Sequence, residues 1–239
     1  AALSAVQLLL ESGVVEETLA LDLRKPLRSN EMLSMMNPLS IVSLFSHGPV
    51  VAVLVTVASL QCFCEGKCIA DVNSYYLLNE AKFSNATHSL YTSCLGVALT
   101  LAGLIGRRTI DWFGLRGHTT FQNLMTAFGF LATGSTTKTP VLFGALVIYA
   151  FGMERRAGIS SLSSKAATAA GMGKGEFAAA FANLRAIAVI AAPLLFARAY
   201  ASGLAATPRS PGRPFYVAVL AVLLAEALHR ALPGARLRP

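Results

Sequence analysis

The stretch "PVVAVLVTVASLQCFCEGKCIAD", residues 49–71, decides the fold class, because a long apolar run leads directly into cysteines and charged side chains. Its first part, residues 49–60, is mostly Val, Leu and Ala. A helix that crosses a bilayer needs about 20 mostly apolar residues. The stretch therefore predicts a membrane helix with polar groups inside it. The cysteines raise a second interpretation, a metal or redox site.

The composition of the whole chain also indicates a membrane protein. Of its 239 residues, 54% are hydrophobic and only 13% are charged, and the mean hydropathy is +0.58. A soluble domain has about 25% charged residues. Further apolar stretches follow at 87–106, 119–137, 140–170 with a polar interruption, 176–202 and 214–232. We therefore predict an all-α integral membrane protein with several crossings.

The net charge of +8 could indicate a nucleic-acid partner, but the distribution of the charges argues against one. If the polar segment 16–48 is cytoplasmic, most Lys and Arg residues fall on the cytoplasmic side, among them Arg107, Arg108 and Arg116. Such a bias is typical of multi-pass membrane proteins. We expect the lipid bilayer as a partner and no nucleic acid.

Several local patterns occur in an order that resembles a known transporter family. They are "EETLALDLRKP" (16–26), "NPLSIVSLF" (37–45), "GRRTIDWFGLRGH" (106–118) and "GEFAAAFANLRAIAVIAAPLLFARAY" (175–200). Together they resemble major facilitator transporters of the tetracycline/proton antiporter type, and among eukaryotic relatives the hippocampus-abundant-transcript-like group. In the last pattern Arg185, Pro193 and Tyr200 match the family's eleventh helix, while Ala192 replaces its usual Gly.

The resemblance implies a bundle of six transmembrane helices that corresponds to helices 7–12 of a major facilitator fold. Residues 1–15 would then be the end of a preceding transmembrane helix, and 16–48 the cytoplasmic central linker. Residues 49–232 would form the C-terminal six-helix half, followed by a basic cytoplasmic tail, 233–239. The resemblance also implies a partner, the N-terminal half, which we expect to be missing from this chain.

Glu65 is the first candidate site residue. It lies about 22 Å along a helix that begins near Val50, close to mid-membrane, where an ionised side chain is costly. On a continuous helix it shares a face with Gln61, Cys68 and Val72. The resemblance aligns residues 64–66 with a Glu-containing segment of helix seven, along which the family places its substrate pathway.

We therefore predict that Glu65, Gln61, Lys67 and Asp71 line a substrate or proton pathway, with Glu65 exchanging the proton. Other interpretations stay open at this point. Glu65 could form an ion pair with the other half, and Lys67 could pair with Asp71 without a further role. The cysteines could be packing residues, or Cys64 and Cys68 could supply two ligands to a metal.

The second candidate is "FGMERRAGISS", residues 151–161. Glu154 lies about 21 Å along a helix from Pro140, while Arg155 and Arg156 project about 100° apart and so are not expected to face one partner. Gly152 and Gly158 could let the helix bend and expose backbone groups to a cavity. Glu154, Arg155 and Arg156 are predicted to recognise an anion or couple protons, or alternatively to stabilise a tilted or broken helix.

Arg185 and Pro193 are assigned a gating or structural role in the eleventh-helix pattern. The four histidines are scattered at loops and helix ends, and no nucleophile–base pair is evident, so we expect no enzyme activity, metal or cofactor. The predicted function is secondary active transport of a small solute by alternating access, coupled to protons. The alternatives are a membrane interaction module without transport, and a metal or redox sensor built on the cysteines.

Overall fold

The computed structural model describes residues 40–232, and this part of the chain is all-helical, without a strand. The predicted preceding helix (1–15), the linker as far as residue 39 and the basic tail (233–239) lie outside the described residues, so these assignments stay predictions. The helices are α1 Ile41–Ser46, α2 Pro49–Phe63, α3 Lys67–Asn79, α4 Asn85–Ser135, α5 Thr139–Ala150, α6 Arg155–Ala169, α7 Lys174–Ala205 and α8 Arg213–Ala231.

Four helical stretches are long and apolar enough to cross a membrane. They are Pro49–Asn79, which contains α2 and α3, then Asn85–Ser135, Lys174–Ala205 and Arg213–Ala231. Many large apolar side chains on their surfaces are exposed, including Leu104, Ile190 and Leu220. Exposed apolar surface of this extent is unusual for a soluble monomer and suits contact with lipid or with further helices.

Helix α4 is not one straight rod. Gly114 has a non-helical backbone (φ 66°, ψ 172°), a conformation that glycine adopts more easily than other residues. The Thr109 hydroxyl lies 2.7 Å from Nδ1 of His118, although nine residues of straight helix would separate them by about 13 Å. The chain therefore folds back at Gly114. The sequence predicts a loop over 106–118, but the structure keeps all of it helical except this glycine.

At both ends of the bundle, hydrogen bonds join helix ends to each other or to the segments between helices. At one end, Glu80 accepts from Tyr200 (2.8 Å) and Arg209 (2.9 Å), which joins the end of α3 to the connection after α7. Tyr76 donates to the carbonyl of Thr136 at the same end. At the other end, Arg116 donates to the carbonyls of Arg230 and Leu232. The arginine thus satisfies carbonyls that the end of α8 leaves without helical partners.

The buried side chains form two apolar clusters. The Tyr76 cluster includes Tyr76, Leu77, Phe130, Leu142, Phe196, Phe215 and Val222. The Leu44 cluster includes Leu44, Leu54, Ala58, Ile159, Phe177 and Ala225. Both α2 and α4 pass from one cluster to the other, and each has buried polar side chains at that point. They are Gln61 on α2, and Gln122 and Asn123 on α4. This polar layer contains the candidate site.

Candidate functional site

Two interruptions of the helical backbone face one cavity. The first separates α2 from α3 at residues 64–66, and the second separates α5 from α6 at residues 151–154. The cavity has a volume of about 280 Å³. The first interruption contributes Cys64, Glu65 and Gly66 to the lining of the cavity. The second contributes Gly152 and Met153, and Arg155, the first residue of α6, also lines the cavity. Unwound backbone and the ends of half-helices therefore form part of the wall.

The first interruption corrects a prediction from the sequence. A continuous helix would place Glu65 on one face with Gln61 and Cys68, but residues 64–66 are not helical. Gly66 has φ 50°, in the left-handed region that favours glycine, and it precedes the first residue of α3. Glu65 is therefore presented by an irregular segment, and the helical-face argument for it is wrong.

Arg155 is the best-buried charge of the site, with an exposed fraction of 3%. Its Nη2 group donates to the carbonyls of Gln61 and Cys64, both at 3.2 Å. These carbonyls lie at the end of α2, where the regular helical hydrogen bonds stop, and that of Gln61 also accepts from the N–H of Cys64. Its Nε atom lies 3.4 Å from Oε1 of Glu65 and makes no hydrogen bond within the described part. Arg155 thus connects the second interruption to the first.

Arg156 also reaches Glu65. Its Nη1 atom lies 3.7 Å from Oε2 of Glu65, and its side chain is 45% exposed. The expectation that Arg155 and Arg156 would not face one partner is therefore wrong. The two side chains approach different oxygens of the same carboxylate, and arginine is long enough to compensate for their different directions from the helix.

Helix α4 holds the second interruption in place. The backbone N–H of Glu154 donates to Oε1 of Gln122 (3.0 Å), and the Thr126 hydroxyl donates to the carbonyl of Gly152 (2.8 Å). A side chain on Gly152 would come within 2.8 Å of the Thr126 backbone nitrogen, so glycine is needed for this approach. The predicted bend occurs at Gly152. Gly158 lies within α6 instead, where it packs against Thr119.

A buried hydrogen-bonded chain links α2, α4 and α8 beside this site. Gln61 donates to Oδ1 of Asn123, and Asn123 donates to Oε2 of Glu226, both at 2.9 Å. Glu226 also forms an ion pair with Arg230 (2.6 Å), as its i,i+4 spacing predicts. Sequence analysis missed Asn123. The available signal was "FQN", a pair of amides inside an otherwise apolar stretch.

A second cavity of about 240 Å³ lies between the two parts of α4 and the start of α6. Its lining includes Glu154, His118, Arg107 and Asp111. His118 is completely buried, and His229 on α8 is also completely buried. The sequence places both only at loops or helix ends, so their burial is a finding of the structure.

The remaining predicted residues lie away from the first cavity. Lys67 and Asp71 are exposed on α3, line neither cavity, and form no ion pair with each other within residues 40–232. Arg185 is half-buried on α7, and Pro193 lies inside the same helix. Their assigned roles stay predictions.

The cysteines are free thiols. Cys62, Cys64 and Cys68 are buried and Cys94 is half-buried. The thiols of Cys64 and Cys68 lie 3.6 Å and 3.9 Å from the carbonyl oxygens of Ala218 and Ala188. Within residues 40–232, no group of three or more His, Cys, Asp or Glu side chains could hold a metal ion. This environment is that of packing residues.

No family model matches the chain, and neither a curated protein nor a solved structure matches it. The resemblance to major facilitator transporters therefore stays a prediction.

Proposed function

We propose that this chain is a six-helix half of a secondary active transporter of the major facilitator type, which moves a small solute by alternating access. The observation that carries the proposal is that two interrupted helices meet at one cavity and are joined by the Glu65–Arg155 ion pair. Irregular backbone at membrane depth is tolerated where it is enclosed by protein or lines an aqueous cavity. Transporters build their midplane solute sites from such interrupted helices.

The path of the chain supports six crossings. The reversal at Gly114 divides α4 into 85–113 and 115–135, about 43 Å and 31 Å long, and each is long enough for a hydrocarbon core of about 30 Å. Helices α5 and α6 together would form a further crossing, interrupted at residues 151–154. With 49–79, α7 and α8, these segments make six.

The outer surfaces support a position among lipids and other helices. Large apolar side chains are exposed on α4, α7 and α8, whereas Arg155 of the charged pair is buried and Glu65 is mostly buried. Lipid would cover most of this surface. A second six-helix half is the partner that we propose for the remainder.

Glu65 is the proposed proton carrier. Its side chain is 20% exposed, so protons can reach it, and its counter-charges are Arg155 and Arg156. Protonation would remove the negative charge that holds these arginines to the first interruption. The ion pair between the two interrupted helices would then weaken, and the helices could move relative to each other.

The test is proton-coupled transport by the full-length protein in liposomes that contain a pH-sensitive dye. Glu65→Gln preserves the size of the side chain but cannot exchange a proton, so it should abolish solute-driven pH changes while the protein remains folded. Glu176→Gln is the matched control, because Glu176 is exposed in the first turn of α7. Unchanged proton-coupled transport by Glu65→Gln would remove the proposed role of this residue.

A further inference from the structure

We infer that the 280 Å³ cavity binds a small organic anion with an apolar body, and that the anion binds together with a proton. The inference extends the proposed transport function to a substrate class and a direction of coupling. Binding itself is measurable without transport, so the two can fail separately.

The charges around the cavity favour an anion. Arg155 and Arg156 face the single carboxylate of Glu65, so the ionised cluster carries one excess positive charge. The other titratable groups around Glu65 are the thiols of Cys62, Cys64 and Cys68, His88 and Tyr91 on α4, and Tyr149 on α5. Arg156 lies beside the cavity rather than in its lining, and Glu154, the residue before Arg155, lines the second cavity instead. Among the described residues that line the first cavity, Glu65 is the one carboxylate.

Hydrogen-bond donors are also available where an anion would bind. The Nε–H group of Arg155 is buried and makes no hydrogen bond within the described residues, although it faces Oε1 of Glu65 at 3.4 Å, so an anion would compete with Glu65 for it. Helices α3 and α6 both begin at the cavity, and neither has a side-chain cap at its N-terminus. The first N–H groups of a helix lack internal partners and carry partial positive charge. Such ends bind carboxylates and phosphates readily.

The rest of the wall suits an apolar body. It is formed largely by apolar and aromatic side chains, among them Ile69, Leu77, Leu95, Phe130, Tyr149 and Phe215. The volume is close to the lower limit of about 300 Å³ for small-molecule sites. A single aromatic ring or a short aliphatic chain that bears one carboxylate fits this combination of size and lining.

Glu65 and the anion compete for the same arginines, and this competition couples anion binding to proton binding at Glu65. Glu65 and the bound anion would both accept from Arg155, and an ionised Glu65 would lie beside a second negative charge. Nearby like charges favour the protonated form of a carboxylate. Anion binding should therefore favour proton uptake at Glu65, and by linkage that proton favours anion binding to the same extent.

The test uses the purified full-length protein in detergent and three probes of matched size: phenylacetate, phenylacetamide and phenethylamine. Phenylacetate should raise the melting temperature, whereas the neutral amide and the cationic amine should not. Its affinity should rise as the pH is lowered over a range in which phenylacetate itself stays ionised. An indicator dye in weak buffer should report proton uptake when the anion binds.

Variants separate the two parts of the inference. Glu65→Gln should still bind phenylacetate, but without proton uptake and without the pH dependence. Arg156→Gln should weaken binding severalfold, because it removes a cation from a partly exposed position. Lys165→Gln, an exposed cation elsewhere on α6, should leave binding unchanged.

Three results would overturn the inference: stabilisation by the amide equal to that by phenylacetate, stronger stabilisation by the amine, or no response to any of the three probes. Proton uptake that persists in Glu65→Gln would overturn the coupling. If phenylacetate binds with its proton but does not cross liposome membranes, the inference about binding stands and the transport proposal fails.

Discussion

Arg155 Nε lies 3.4 Å from Oε1 of Glu65 and joins the interruption between α2 and α3 to the one between α5 and α6. The two members of the pair differ in their environment. Arg155 is 3% exposed and is held by two backbone carbonyls, whereas the Glu65 side chain is 20% exposed. Arg155 is therefore the member that the protein holds in place, and Glu65 is the member that water can reach.

The first prediction concerns the unequal roles of the two arginines. Arg155→Gln should lower the free energy of unfolding by about 3 kcal/mol, because it leaves buried carbonyls and a partly buried carboxylate without their partner. Arg156→Gln should cost less than about 1 kcal/mol, because the Arg156 side chain is 45% exposed. Denaturant unfolding in detergent micelles measures both. Equal costs would contradict the assignment of Arg155 as the structural link.

The second prediction compares two glycines close together in sequence. Gly152→Ala should destabilise the protein by about 2 kcal/mol, because the added methyl group meets the backbone of Thr126 and overpacks the contact. Gly144→Ala is the control: it lies inside α5, and a methyl group there meets nothing within 4 Å. The control should be neutral, or more stable by up to about 1 kcal/mol. Thermal unfolding of both variants checks the contrast.

Much of the helical framework could be predicted from the sequence, because long apolar runs between polar turns directly reflect the cost of exposing backbone in a bilayer. The expected stretches 176–202 and 214–232 correspond to α7 and α8. The bend at Gly152 was also predictable, since glycine and three consecutive charges interrupt an apolar run there. Helix ends were predicted less well: residues 107–113 fall in the loop predicted over 106–118, but they are helical in the structure.

The candidate site was only partly predictable. Glu65 and Arg155 stand out as charges in apolar surroundings, but their pairing depends on tertiary packing across 90 positions of sequence. The break at Gly66 was missed because a helix that continued through residues 64–66 would also have placed Glu65 on one face with Gln61 and Cys68. Asn123 was missed because a pair of amides in an apolar stretch looks like tolerated surface residues until the partners of Asn123, Gln61 and Glu226, are known.

The third prediction tests the reversal at Gly114 as a membrane turn. Single cysteines at Arg108 and Lys138, both exposed, should react with a membrane-impermeant maleimide from opposite sides of the membrane. A cysteine at Lys82 should react from the same side as the one at Lys138, because the hydrogen bonds of Tyr76 and Glu80 hold those connections at one end. The native cysteines are replaced beforehand. Labelling of Arg108 and Lys138 from one side would contradict the six-crossing topology.

The last prediction concerns the buried chain from Gln61 through Asn123 to Glu226. Asn123→Leu removes the amide that donates to Glu226 and accepts from Gln61, and it leaves both groups buried without this partner. A buried polar group that loses its hydrogen bond costs about 1–3 kcal/mol. We expect a loss of about 2 kcal/mol in the free energy of unfolding. Asn79→Leu is the control, because Asn79 is exposed and bonds only within its own helix.

A double-mutant cycle distinguishes the loss of the Asn123–Glu226 hydrogen bond from the effect of the changed side-chain size in Asn123→Leu. If Asn123 acts through Glu226, combining Asn123→Leu with Glu226→Gln should cost clearly less than the sum of the two single changes, because each removes the same hydrogen bond. The Arg230–Glu226 pair lies partly at the surface and should contribute little to that coupling. Strictly additive costs would mean that the Asn123–Glu226 contact carries no stabilising energy. In that case α4 and α8 would be held together by apolar packing and by their other hydrogen bonds, such as that from Arg116 to the carbonyl of Arg230.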